Sequence, residues 1–303
     1  MTRLVWLPID PADLGELPGD LAYEVVRSTD PVPPGAENVE LWVPPSQPPA
    51  AYEAAFAAMA SLQVVQTMSA GIDSVKGLVP DGVALHNARG VHDTATAEHA
   101  VALTLAAQRA IPVFAEQQGA GAWKQFHTPG LGDKTVLIVG YGSIGRAIAR
   151  RLEGFEADVV KVARTARDGV HGLGELPALV PRADVVILMT PLTDTTRGMV
   201  GAEFLSWMRP GALLVNVARG PVVDTDALVE ACAAGRIRAA VDVTDPEPLS
   251  ADHPLWRTPN VLVTPHVGGD TDAEAVRLHR LLREQLTRFA AGEPLVNEIT
   301  GDY

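Results

Sequence analysis

In the N-terminal part of the chain, short apolar runs alternate with polar stretches rich in turn residues. The runs at 4–7, 23–26, 39–43, 62–66 and 83–85 have the length and composition of strands. Between the third and fourth, residues 50–60 read AAYEAAFAAMA, an alanine-rich stretch with helical apolar spacing. Seven prolines between Pro31 and Pro49 flank the run at 39–43 and read as loops bounding a strand rather than as a ligand for a proline-binding module. Residues 94–109, TATAEHAVALTLAAQR, predict a buried helix that is apolar nearly all round, with Thr94 or Thr96 as its N-cap. This helix marks the passage from a first, smaller domain into a second, and His99 on it reads as a packed or hydrogen-bonded structural residue. Residues 111–132 contain Trp123, Phe126 and several glycines without clear periodicity. They are either an arm that packs on a second subunit or a loop covering the chain's own core.

Past Lys134 the alternation becomes regular, with strands expected at 135–139, 159–162, 185–189, 212–217, 239–243 and 261–264 and helix signals in several of the intervals. Their apolar character suggests burial on both faces, as in a doubly wound parallel sheet. In 224–235, DTDALVEACAAG, an acidic start and a closing glycine mark the two ends of a helix. Residues 271–289 predict a long amphipathic helix that returns to the first domain. The whole pattern is α/β. Its expected division is 1–94 with 270–303 as one domain and 95–269 as the other.

Composition narrows the function classes. A chain of 303 residues can bury two cores without covalent staples. Cys232 is the only cysteine, which excludes a disulfide framework and suits a reducing cytoplasm. Its helical spacing from Leu228 and Val229 makes it a packing residue rather than a nucleophile. A net charge of −13 argues against general attraction to nucleic acid or anionic membranes, so an anionic ligand must be met by local positive groups. The opening MTRLVWLP is too short an apolar stretch for a signal peptide, and no run reaches the ~20 apolar residues needed to span a bilayer. A cytoplasmic protein with neither a nucleic-acid nor a membrane partner, and with no metal site, is expected.

The chemistry begins at 136–150, VLIVGYGSIGRAIAR, which reads as strand, tight turn and helix N-terminus. Gly140 permits the turn, Gly142 lets backbone approach a pyrophosphate, and Gly145 lets the helix pack on the strand. The N–H groups of Ser143 and Ile144 then lie at the positive end of that helix. At the end of the next strand, where an acid would bind the adenine ribose, stand Ala163 and Arg164. Arg164, Thr165 and Arg167 suit a ribose 2′-phosphate, which predicts NADP(H) in preference to NAD(H), with NAD(H) still possible. Upstream, Ser69-Ala70-Gly71-Ile72-Asp73 forms a glycine-containing loop at a strand's carboxyl end, either an anion-binding loop or a plain strand-to-helix turn.

Three later stretches also follow strands: Asn216-Val217-Ala218-Arg219-Gly220, Asp242-Val-Thr-Asp-Pro-Glu247-Pro and Thr264-Pro-His266-Val-Gly268-Gly. An arginine, a carboxylate and a histidine could thus converge near a nicotinamide. Imidazolium suits proton donation to a carbonyl oxygen near neutral pH, and a neighbouring carboxylate orients such a ring and stabilises its charged form. Arginine can hold a substrate carboxylate bidentately while polarising the carbonyl.

Together with 140–145 and 69–73, these stretches resemble the D-isomer-specific 2-hydroxyacid dehydrogenase family, over residues from about 60 to about 270. The resemblance implies two Rossmann-like domains, one a doubly wound nucleotide-binding sheet and the smaller one flavodoxin-like, with the active site in the cleft between them. It implies that Arg219 binds the 2-oxo acid, His266 is the acid/base and Glu247 pairs with it. Asp242 is then the contact to the nicotinamide carboxamide, and Ala70 and Gly71 bind the substrate carboxylate through backbone N–H groups. Thr190, Pro191, Val217, Ala218, His266 and Gly268 complete the expected cofactor site. A homodimer through the nucleotide domain is also implied, which gives 111–132 a role. Two positions depart from the family pattern: Ala163 replaces the usual ribose-binding aspartate, and Thr244 stands where many members carry an aromatic residue. The expectation is an NADP-preferring reductase of small 2-oxo acids, glyoxylate or hydroxypyruvate first. The rivals are a dehydrogenase of a larger oxo acid and a nucleotide-sensing protein resembling the corepressors of the same family.

Overall fold

The computed structural model describes residues 2–300, and the chain divides into two compact units. One comprises the chain up to His92 together with that from Thr271 onward; the other is Asp93–Asp270.

In the first unit β1 (Arg3–Leu7), β2 (Leu21–Val25), β3 (Val39–Trp42), α1 (Pro49–Ala58), β4 (Val64–Gln66) and β5 (Ala84–His86) follow the expected pattern. The strands pair in parallel in the order β2-β1-β3-β4-β5, the flavodoxin-like arrangement. Side chains alternate across β1: Val5 and Leu7 pack with the chain's closing helix, Asp272–Ala291, while Trp6 packs with Trp42 and Val65 on the other face. That helix buries Leu278, Leu281, Leu282, Leu286 and Phe289 at helical spacing. Each such leucine contributes about 2 kcal/mol of burial.

The second unit runs through α2 (Asp93–Gln108), α3 (Ile111–Gly119), β6 (Thr135–Val139), α4 (Ser143–Leu152), β7 (Asp158–Ala163) and β8 (His171–Gly172). It continues through α5 (Leu176–Leu179), β9 (Val185–Leu188), α6 (Ala202–Trp207), β10 (Leu213–Asn216), α7 (Thr225–Ala233), β11 (Arg238–Val241) and β12 (Val261–Val263). All pairings are parallel, in the order β12-β11-β10-β9-β6-β7-β8, so the direction of winding reverses between β6 and β9. Both faces are dry. Along β6, Leu137 and Val139 enter one core and Val136 and Ile138 the other, which is why these strands read as unbroken apolar runs.

Two local expectations need correction, and one short strand was not foreseen. Helix α2 starts at Asp93, so Thr94 and Thr96 lie inside its first turn; the Asp93 carboxylate suits the positive end of the helix. Residues 111–119 are helical, begun by Ala110 in the left-handed region and Pro112 near the start. None of that helix's side chains is buried, so no apolar period announced it. The two-residue strand β8 is too short to carry an alternating pattern. Cys232 is fully buried on α7, and burial pushes its thiol pKa up to about 12, so it packs in protonated form.

Helix α2 is fastened to β11. Arg238, at the start of β11, donates to the Ala107 carbonyl (3.1 Å) and the Gln108 side chain (2.5 Å) near the helix C-terminus. Among the described residues, no helix is long and apolar enough to cross a membrane.

Candidate active site

The glycine loop follows β6 directly, on the strand beside the reversal of winding. Gly140 has φ +111°, and a Cβ there would collide with the Met189 carbonyl at the end of β9, so the two loops touch through bare backbone. A Cβ on Gly145 would strike the Gly140 carbonyl oxygen, which is how α4 comes so close to its own loop. At Gly142, by contrast, a Cβ would meet nothing within 4 Å, leaving room beside the N-cap of α4. Gly142 has no side chain to cap the helix, so the first-turn N–H groups are left for an anion. The Ser143 hydroxyl donates to Asp93 (3.2 Å) and Ile144 packs on the core, so both offer a ligand their backbone. Across the reversal of winding, Thr190 Oγ1 is buried with no hydrogen-bond partner among the described residues, an orphan that a bound group at this loop could satisfy. These features fit the pyrophosphate and sugar of a dinucleotide.

At the end of β7, Ala163 is nearly buried and Arg164, Thr165 and Arg167 are exposed. The Arg167 guanidinium donates to the Tyr141 carbonyl in the glycine loop (3.0 Å), and Lys161 sits 5.5 Å from the Tyr141 ring centre. Two cations are thereby held against the loop, with alanine where a carboxylate would repel a phosphate.

The side chains expected to carry chemistry follow β10, β11 and β12. Buried Asn216 accepts from the Ala218 N–H (3.1 Å) and donates to the Arg219 carbonyl (3.0 Å), and the Arg219 guanidinium donates to the Ala218 carbonyl (2.7 Å). Ala218 therefore spends both backbone groups within its own loop. A Cβ on Gly220 would overlap the Thr244 carbonyl, so the Arg219 turn lies directly on the turn after β11. From there Glu247 reaches back to His266, whose Nδ1 pairs with Glu247 Oε1. His266 has φ +54°, a left-handed conformation costing a non-glycine residue about 1–2 kcal/mol, and its N–H donates to the Asp242 carbonyl at 2.7 Å. Asp242 itself is 3 % exposed, and its carboxylate accepts from the Val267 N–H (3.1 Å), the Gly268 N–H (2.9 Å) and the Thr264 hydroxyl (2.5 Å). The second unit thus brings Glu247, His266, Asp242 and Gly268 together, with Arg219 one turn away across Gly220.

One further member of this cluster, His99, is hydrogen-bonded as the sequence reading expected, but its partners were not foreseen. His99 Nε2 lies 3.1 Å from Asp242 Oδ1 and 3.0 Å from Thr264 Oγ1. A histidine on an apolar helix gives no local sign of a partner 143 residues away; only the docking of α2 on β11 reveals it. Beside the Glu247–His266 pair is a cavity of about 380 Å³ whose wall includes Thr244, Leu249 and Trp256. Thr244 donates its hydroxyl to the Pro246 carbonyl (2.9 Å), holding the turn without an aromatic ring.

In the first unit, the loop carrying Ala70 and Gly71 follows β4. The carbonyls of Ser69, Ala70 and Gly71 accept respectively from Thr67 (2.9 Å), Asn87 (2.7 Å) and the Ser69 hydroxyl (2.6 Å), which fixes the loop backbone.

Comparison with known proteins identifies the family. Residues 101–268 match the family model described as the NAD-binding domain of D-isomer specific 2-hydroxyacid dehydrogenases. The chain is 34% identical over 259 residues to the human glyoxylate reductase/hydroxypyruvate reductase, covering 80% of this chain and 78% of that protein. It is 36% identical over 249 residues to the glyoxylate reductase of Pyrococcus furiosus, covering 77% and 74%. Among solved structures, a D-isomer specific 2-hydroxyacid dehydrogenase from Xanthobacter autotrophicus Py2 in complex with NADPH and MES aligns over 99% of this chain and 98% of its own, with a TM-score of 0.83 and 32% identity. A glycine loop at a reversal of winding, an imidazole–carboxylate pair beyond the same sheet and relatives that share both sequence and fold lead to one assignment: the chain belongs to the D-isomer-specific 2-hydroxyacid dehydrogenases, a family of NAD(P)-dependent oxidoreductases.

Proposed function

We propose that this protein reduces a small 2-oxo acid, glyoxylate or hydroxypyruvate first, to the D-2-hydroxy acid, using NADPH in preference to NADH. The observation that carries this reading is the Glu247–His266 pair, anchored to buried Asp242 beyond the strands that follow the glycine loop. The names of the human and archaeal relatives favour the small substrates.

When bound, the reduced nicotinamide supplies the hydride that C2 of the oxo acid accepts. Arg219 binds the oxo acid and draws electron density towards its carbonyl oxygen, and Ala70 and Gly71 are the expected carboxylate-binding loop. With Nδ1 engaged by Glu247, His266 uses Nε2 to give that oxygen its proton, and Glu247 stabilises the charged ring before the transfer. Asp242 accepts the carboxamide N–H of the nicotinamide. Preference for NADPH rests on Ala163 and the exposed Arg164, Thr165 and Arg167. In this reading residues 1–94 with 270–303 form the substrate domain and 95–269 the dinucleotide domain. A homodimer in the cytoplasm completes it: Trp123 is 90% exposed in the segment after α3, which suits coverage by a second copy.

The test is oxidation of NADPH and, separately, NADH with glyoxylate, hydroxypyruvate, pyruvate, 2-oxoisovalerate and phenylpyruvate. The expected result is NADPH-dependent turnover, fastest with the first two. Faster turnover of phenylpyruvate or 2-oxoisovalerate would replace the small-substrate reading, and tight NADPH binding without turnover of any acid would favour the nucleotide sensor.

A further inference from the structure

We propose that His99 is a positioning residue for the proposed reaction, holding the Asp242 carboxylate so that Oδ2 keeps a lone pair for the nicotinamide carboxamide while both oxygens fix the turn that carries His266. The proposal rests on the reductase reading for the reaction, but not for the contact itself.

A carboxylate as deeply buried as Asp242 requires donors. Its Oδ1 faces three, the Val267 N–H, the Thr264 hydroxyl and His99 Nε2, whereas among the described residues Oδ2 receives only the Gly268 N–H. One pattern of protons satisfies the group. The carboxylate only accepts, so His99 Nε2 carries its hydrogen; Thr264 Oγ1 accepts a share of it and passes its own hydrogen to Oδ1. Three donors, two of them side chains, thereby saturate Oδ1 and prevent rotation of the carboxylate about its Cβ–Cγ bond. Oδ2 keeps an open lone pair, the acceptor that an amide N–H needs. The same carboxylate binds the N–H groups of Val267 and Gly268, the two residues after His266, so its orientation is transmitted to the proton donor.

His99 is itself held. From Gln108, tied to Arg238, back to His99 is about 13 Å at the helical rise per residue, and from Arg238 to Asp242 is about 13 Å at the strand rise. The equal spans let α2 be tied to β11 at both places without distortion. A side chain at Gly268 would approach Asp242 Oδ2 to 2.9 Å and His99 Cδ2 to 3.4 Å, so the turn, the carboxylate and the imidazole close on one another.

The test compares His99→Leu, His99→Asn and His99→Gln with the unaltered protein, measuring steady-state kinetics and the affinities for the full dinucleotide and for ADP-ribose or its 2′-phosphorylated form, which lack nicotinamide. Leucine fills the space without a donor, asparagine falls short, and glutamine places an N–H near the site of Nε2. With leucine or asparagine, kcat and dinucleotide affinity should each fall about tenfold, while the KM for the oxo acid and the affinity for the fragment stay within about twofold. Glutamine should recover most of both losses. Unchanged kcat and dinucleotide affinity in both the asparagine and leucine variants would overturn the proposal, as would equal weakening of dinucleotide and fragment, which marks general structural damage. If the leucine variant does not fold, the asparagine and glutamine pair decides the same question. Absence of oxo-acid turnover in the unaltered protein defeats the reductase reading alone, since the binding comparison still tests His99.

Discussion

On the β6 side of the winding reversal, what the second unit offers a ligand is backbone: the N–H groups at the start of α4, reached across Gly142 and enclosed by Gly140 and Gly145. On the β10 to β12 side it offers side chains, Arg219, Asp242, Glu247 and His266, held by Asn216, Gly220 and Thr264. Both regions are loops at the carboxyl ends of one sheet. On the proposed function, the difference implies that a site for a fixed pyrophosphate can be built from the absence of side chains, because every peptide carries the donor it needs. A site for proton transfer requires titratable groups whose orientation must be secured one by one. The first should fail sterically and the second chemically.

The largest expected effect is on the side-chain half. His266→Ala should lower kcat by about a thousandfold through loss of the proposed proton donor while dinucleotide affinity is retained, since the turn's N–H bond to the Asp242 carbonyl is backbone. Arg219→Ala should in addition raise the KM for the oxo acid; steady-state kinetics with a parallel binding titration read both. Full activity in either variant would remove the chemical distinction between the halves.

Next comes the backbone half. Gly140→Ala adds a single methyl group, yet the φ of +111° and the Met189 carbonyl leave it no place, so a loss of about 3 kcal/mol in stability and of measurable dinucleotide binding is expected. Thermal unfolding and titration would show it, and unaltered binding would mean that the glycine loop tolerates side chains after all.

The smallest effect sharpens the comparison where the backbone half borrows side chains. Replacing Arg164 and Arg167 together by alanine should shift the ratio of NADPH to NADH efficiency towards NADH on the order of tenfold, leaving kcat with saturating cofactor nearly unchanged. An unchanged ratio would place the preference elsewhere.

Much of this was open to reading along the chain. Gly140, Gly142 and Gly145 announce their loop because its needs are local: a left-handed turn, an open approach and a close helix–strand contact each exclude a Cβ at a fixed spacing. Apart from β8, the strands of the second sheet were legible because burial on two faces leaves unbroken apolar runs, and Arg219, Glu247 and His266 stood out as polar groups placed just after such runs. Helix α3 was not legible, because an exposed helix obeys no apolar period.

The sequence by itself determined two parallel α/β sheets, the glycine loop, the basic turn that lacks an acid, and the three side chains that follow β10, β11 and β12. The tertiary structure alone decided that the Arg219 turn rests on the Thr244 carbonyl and that His99 meets Asp242, whereas the pairing of Glu247 with His266 was already implied by the resemblance. The reason is physical. Local conformation follows from what each residue's neighbours along the chain permit, whereas the partner of a buried polar group is set by the register in which distant elements dock, and no short stretch of chain encodes that register.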